Sequence, residues 1–156
     1  MQKKVVIVLL MPLLMMSAGF AHAEDLVDTA LTSGSFKTFL AAVKTAGLTE
    51  KLRSGGPFTV FAPTEAAFSQ LPVGEWEQIS RDKARLARVL NYHIIPGRTK
   101  IMEVKPGKAN SVEGSPLQLK SDNGMVSVNG ARVTESDLIA DNGIIHAIDT
   151  VLILPD

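Results

Sequence analysis

The chain of 156 residues balances 16 Lys and Arg against 16 Asp and Glu, so it carries no basic excess to displace counterions from phosphates, and nucleic acid is excluded as a bulk electrostatic partner. It contains no cysteine, which rules out thiol catalysis, thiolate metal sites, disulfides and a lipid-modified cysteine.

Gln2, Lys3 and Lys4 precede an apolar stretch from Val5 to Phe20, and Ala21-His22-Ala23 then leads into Glu24 and Asp25. Positive charge, apolar core and small residues in that order make a secretory signal, with cleavage expected after Ala23. Pro12, Ser17 and Gly19 interrupt the stretch, and it is shorter than the roughly 20 residues of a span, so no membrane span is expected after cleavage. Residues 1–23 are therefore read as a signal peptide and residues 24–156 as a single domain large enough to bury a core. Without Lys3 and Lys4 the charge becomes 14 basic against 16 acidic residues. A bacterial periplasmic or secreted location is expected.

Asp25 is placed to cap a short helix over 26–31. Phe36, Phe39, Leu40 and Val43 recur at i, i+3, i+4 and i+7, which predicts an amphipathic helix capped by Ser35 and ended by Gly47. After the break at Gly55-Gly56-Pro57, the apolar run Phe58 to Ala62 reads as a buried strand. Thr64 is expected to cap a helix through Phe68, with Glu65 in its first turn facing the positive end of the dipole. Leu86, Val89, Leu90 and His93 predict a helix from Arg81 to His93 with Ser80 as its cap. Trp76 falls in a stretch with little periodicity and reads as a lid on the core.

A loop-rich interval follows Pro96-Gly97, and the apolar period then changes from 3.6 to 2. Leu117/Leu119, Val126/Val128 and Ala131/Val133 alternate with polar neighbours, joined by the hairpin-type turns Asn123-Gly124 and Asn129-Gly130. Asn142-Gly143 introduces Ile144 to Leu154, apolar on both alternating sets, as in a central strand covered on both faces. Helices first and sheet later give an α+β class.

The segment Gly56-Pro-Phe-Thr-Val-Phe-Ala-Pro-Thr-Glu-Ala-Ala-Phe68 resembles the first signature box of the fasciclin domain, and Asn142-Gly-Ile-Ile-His-Ala-Ile-Asp-Thr-Val-Leu152 resembles its second. Between them, Asn91-Tyr-His-Ile-Ile-Pro-Gly97 is similar to the family's tyrosine-histidine segment, and the order and spacing agree. The resemblance implies a fasciclin-like fold, a β wedge or sandwich with N-terminal and flanking helices. It also implies an extracellular or envelope adhesion module that binds a protein, cell-surface or matrix component without catalysis. Glu65 stands where the first box more often has Asp or Asn. Glu135-Ser-Asp-Leu-Ile139 partly resembles the Asp-Ile motif through which animal members contact integrins, which marks Asp137 and Leu138 as candidate partner-binding residues. There is no Arg-Gly-Asp.

His93 lies on the apolar stripe of its helix, and His146 shares an alternation face with Ile144, Ile148 and Leu152. Both are expected to be neutral core histidines hydrogen-bonded to backbone. The competing reading is a metal site that adds Asp149. Tyr92 shares a helical stripe with Arg81, Arg85 and Arg88, which makes a candidate partner-binding face of basic and aromatic side chains. Thr64 and Asp149 are expected to be structural, one as a cap and the other accepting hydrogen bonds where the last strand enters the core.

No nucleophile elbow, P-loop, H-E-x-x-H or dinucleotide fingerprint occurs, and no catalytic activity, metal or cofactor is expected. Two other classes stay open: a periplasmic small-ligand or metal-binding protein, and a hydrolase assembled from distant Ser, His and Asp, which would need His93 or His146 open to solvent.

Overall fold

The computed structural model describes residues 24–154. The predicted signal sequence and its cleavage after Ala23 lie outside the described residues. Helix α1, Leu26–Ser33, starts at Asp25, whose Oδ1 accepts from the Asp28 N–H at 2.9 Å, and stops at Gly34 with φ 73°. Helix α2, Lys37–Thr45, follows. Ser35 does not cap it; Glu65 does so from another helix, accepting from both the Thr38 N–H and Thr38 Oγ1. The sequence places Glu65 correctly in a first turn but gives no sign that its carboxylate turns to a neighbour's orphan donors.

A short helix α3, Thr49–Ser54, which the periodicity does not announce, leads into strand β1, Phe58–Pro63. Thr64 then caps helix α4, Glu65–Ser69, through Oγ1 and the Ala67 N–H at 3.3 Å. The helix expected from Arg81 to His93 is α6, Lys83–Tyr92, and a separate helix, α5, Glu75–Arg81, precedes it in the stretch that shows little periodicity. Asp82 separates them, because its Oδ1 accepts from the N–H groups of Ala84 and Arg85 and so starts a new helix. Ser80 lies inside α5 and caps nothing. Trp76, on α5, packs edge-on against Phe68 with ring centroids 4.7 Å apart.

Strand β2, Ile94–Pro96, and a 3₁₀ turn, Ile101–Glu103, precede β3, Gly107–Asn110, within the interval that reads as loop in the sequence. Strands β4, Pro116–Asp122, β5, Met125–Val128, and β6, Ala131–Ala140, form the expected antiparallel meander. Its turns hold Asn123 and Asn129 each at φ 50°, followed by Gly124 and Gly130 at φ 80° and 84°, the left-handed pair of a tight hairpin. Strand β7, Gly143–Ile148, ends sooner than the apolar run that announces it.

The strand order is β2-β1-β7-β6-β5-β4-β3, with β1 and β7 parallel and all other pairs antiparallel. β6 joins the two halves: Ala131 and Arg132 pair with β5, and Val133 to Ala140 pair with β7 across two register shifts. Such irregularities bend a strand, and here the bend folds the sheet upon itself. One core lies between the helices and β1/β7, where Val60, Ala62, Ile145 and Ala147 meet Phe36, Phe39 and Leu86. The other lies between the sheet halves, where Phe61 and Ile148 meet Leu117, Val126 and Val128. β1 and β7 are thus covered on both faces, which explains their unbroken apolar runs.

One polar corner fixes this arrangement. Asn142 Oδ1 accepts from the Leu26 N–H at 2.9 Å, and Nδ2 donates to the carbonyls of Leu52 at 2.7 Å and Gly55 at 2.8 Å. Its own carbonyl accepts from the Phe58 N–H at 3.1 Å. One side chain therefore joins the start of α1, the end of α3 and the β1–β7 pair. Gly143 sits beside it so close to β1 that a Cβ would strike the Phe58 carbonyl oxygen.

Candidate functional site

The residues that carry the sequence motifs converge on the interior. His93 ends α6, is 1% exposed, and donates from Nδ1 to the Val89 carbonyl at 2.7 Å. Its Nε2 accepts from the Leu152 N–H at 2.9 Å, and its own carbonyl accepts from the Phe61 N–H at 2.8 Å. α6, β1 and the C-terminal segment are joined there. Burial pushes its pKa down to about 4, against the opposing pull of the Val89 carbonyl.

His146, fully buried on β7, uses its nitrogens the other way round. Nε2 donates to the Thr99 carbonyl at 2.8 Å, and Nδ1 accepts from the Asp137 N–H at 3.1 Å. Burial lowers its pKa too, opposed by the Thr99 carbonyl and by the charge of Asp137. The partners fix two opposite tautomers, Nδ1–H in His93 and Nε2–H in His146. Both rings are neutral struts with no lone pair or proton directed at solvent. A metal arrangement of His93, His146 and Asp149 does not form, and among the described residues no three His, Asp or Glu side chains cluster to hold an ion.

Asp137 adopts φ 57° at the irregular part of β6 and accepts from the Ile101 N–H at 2.9 Å, which pins the 3₁₀ turn over His146. Leu138 pairs opposite Ile145 and packs on the helical core. These two candidate binding residues are half-buried and tied to the framework. Asp149, just beyond β7, is also half-buried, and its Oδ1 accepts from the Arg132 N–H at 2.9 Å.

The four-residue face on a single helix is corrected by the structure. Arg81 ends α5, whereas Arg85 and Arg88 lie on α6 beyond the break at Asp82. Tyr92 is only 6% exposed and belongs to the core between the sheet halves. Its hydroxyl donates to the Pro116 carbonyl at 3.1 Å and accepts from Asn129 Nδ2 at 2.8 Å. The helical wheel gives the direction of Tyr92 but not the meander that covers it. Arg88 stays exposed and meets Glu113 at 3.6 Å, where the Ser115 hydroxyl and N–H, together with Arg88, hold the Glu113 carboxyl below its ordinary range. Arg85 is half-buried.

Sequence reasoning missed a groove of about 730 Å³ between α1 and α2, bordered by Thr49 and Arg53 of α3. Val27, Ala30 and Leu31 line its α1 side, and Leu40 and Ala41 its α2 side, between Lys37 and Lys44. Phe36 and Val43 form its floor. The sequence signal was available: Leu31 is 58% exposed, although it continues the apolar stripe of Val27 and Ala30.

The family model described as Fasciclin domain matches residues 34–155. Protein sll1483 of Synechocystis sp. is 42% identical over 135 residues, covering 85% of this chain and 75% of that protein. Transforming growth factor-beta-induced protein ig-h3 of Sus scrofa is 38% identical over 129 residues, covering 81% of this chain but 19% of the relative. A solved structure, a FAS1 domain pair from the insect cell adhesion molecule Fasciclin I, superposes with a TM-score of 0.67 at 14% identity, over 84% of this chain and 51% of that one. The likeness of that pair extends to the fold, with this chain spanning about half of it. Signature segments, α+β fold and relatives agree: the chain belongs to the fasciclin domain family.

Proposed function

We propose that the chain is an exported interaction module, a single domain over 24–156 released by cleavage after Ala23, which binds a cell-surface, matrix or envelope component through its outer surface and performs no chemistry. The observation that carries this reading is the inward commitment of its acid–base groups. Both imidazoles have both nitrogens engaged by backbone, so what the fold presents to a partner is shape and charge. Named relatives point the same way: a cell surface glycolipoprotein of Mycobacterium bovis is 30% identical over 138 residues, and the fold neighbour comes from a cell adhesion molecule.

The remnant of the basic face on α6, half-buried Arg85 and exposed Arg88, is the first surface to test. Envelope extract passed over the immobilised mature chain should retain a partner, and the Arg85→Ala/Arg88→Ala variant should retain less of it at unchanged melting temperature. Equal retention removes these arginines from the interface; no retention of any envelope component removes the reading. Protein recovered from an expressing bacterium should lie outside the cytoplasm and begin at Glu24, and a cytoplasmic product that retains Met1 contradicts the export step.

A further inference from the structure

We propose that the groove between α1 and α2 is a binding site for the hydrocarbon chain of a long-chain carboxylate, whose head group is held by Lys37 and Lys44. This goes beyond the adhesion reading and does not depend on it. The two walls differ in kind. On α1, Val27, Ala30 and Leu31 stand at i, i+3 and i+4 and make a wholly apolar lip. On α2, Lys37, Leu40, Ala41 and Lys44 stand at i, i+3, i+4 and i+7, so that two ammonium groups bracket an apolar span of about 10 Å at 1.5 Å rise per residue.

No Asp or Glu lines the groove. Its third cation, Arg53, is already paired with Asp25 at 3.2 Å and Asp28 at 3.1 Å. Neither Lys37 nor Lys44 pairs with a carboxylate among the described residues. The charge available at the rim is therefore positive and located on the α2 lip. That pattern favours an anionic head over a neutral or cationic one, while an exposed Leu31 opposite Leu40 favours an aliphatic tail between them. The volume of about 730 Å³ lies inside the roughly 300–1,000 Å³ of small-ligand sites. The walls are helices of 8 and 9 residues, which offer little length for a docked protein segment.

The test is displacement of a fluorescent dansyl fatty acid from the mature chain by hexadecanoate and, separately, by hexadecanol. Hexadecanoate is expected to displace the probe about tenfold better than the alcohol of equal length. Lys37→Glu/Lys44→Glu should remove that preference and leave hexadecanol unchanged. Ala41→Trp, which places bulk at an exposed position inside the groove, should abolish both. Thermal melts confirm folding, and because the lysines are exposed, the charge-reversal arm stands even where the Trp variant is unstable.

The proposal is overturned if hexadecanoate fails to displace the probe, if the alcohol competes equally, or if charge reversal changes nothing. It is also overturned if the chain sediments as a dimer that Ala41→Trp converts to monomer, which assigns the groove to a second copy. Loss of hexadecanoate binding by Ala41→Trp with envelope retention intact separates this site from the adhesion surface.

Discussion

The Asn142 corner and the α1–α2 groove use the same helix in opposite ways. At its N-terminus α1 is held by a side-chain amide whose polar atoms all have partners, and a few residues on, its flank leaves a leucine in water over a floor of buried Phe36 and Val43. A polar residue acts as interior framework while an apolar one faces outward. In this molecule, then, polarity does not mark the surface: Asn142, His93, His146 and Tyr92 are struts, and the apolar and cationic side chains of the groove rim are ones the framework does not need.

Substitutions on either side of that contrast test it. The largest effect is expected at Gly143→Ala, where a Cβ cannot coexist with the Phe58 carbonyl oxygen and the parallel β1–β7 pairing must give way. A loss above about 4 kcal/mol, or no soluble protein, is expected; a urea midpoint within experimental error of wild type would refute the close approach. Asn142→Ala leaves the Leu26 N–H and the Leu52 and Gly55 carbonyls without their partner, and should cost roughly 3–4 kcal/mol in equilibrium unfolding.

Acid should act on the same framework. His93 binds its proton near pH 4 when folded and near 6.5 when unfolded, so the unfolded chain takes up the proton first. Stability is therefore whole above about pH 6.5 and falls by about 3 kcal/mol as the pH drops to about 4, with His146 acting in the same direction. Urea midpoints measured from pH 7.5 downward check this, and a flat profile to pH 5 contradicts it. Tyr92→Phe strands the Pro116 carbonyl and Asn129 Nδ2 and should cost about 1–2 kcal/mol; a solvent-facing Tyr92 would predict no change. The smallest effect is expected in the groove, where Leu31→Ser should shift stability by less than about 0.5 kcal/mol. A larger loss would mean that Leu31 belongs to the core.

Local pattern carried much of this fold. The Asp25 and Thr64 caps, the meander and its two Asn-Gly turns stand where period and turn chemistry put them. What escaped is non-local. The β1–β7 pairing joins residues 85 positions apart, β3 exists because β4 offers it an edge, and the amide of Asn142, read only as the residue that introduces the last strand and opens the second signature segment, acts through segments about 90 and 116 residues away. The cap of α6 is local too, yet it is expected at Ser80; Asp82, two residues on, takes the Ala84 and Arg85 N–H groups, and between two good cap residues so close together the sequence pattern does not choose. For the candidate sites, the wheel gave Tyr92 a direction without a neighbour, and the groove went unseen because two helix faces had to be set side by side.

Glu65 sits on α4 but closes the first turn of α2. Helix α2 therefore depends on α4 for its own beginning: excised as a peptide, α2 lacks its acceptor, and a truncation that removes α4 should unwind the start of a helix it never contained. The lysine-bearing lip of the groove is thus anchored at its start by a residue that does not line it.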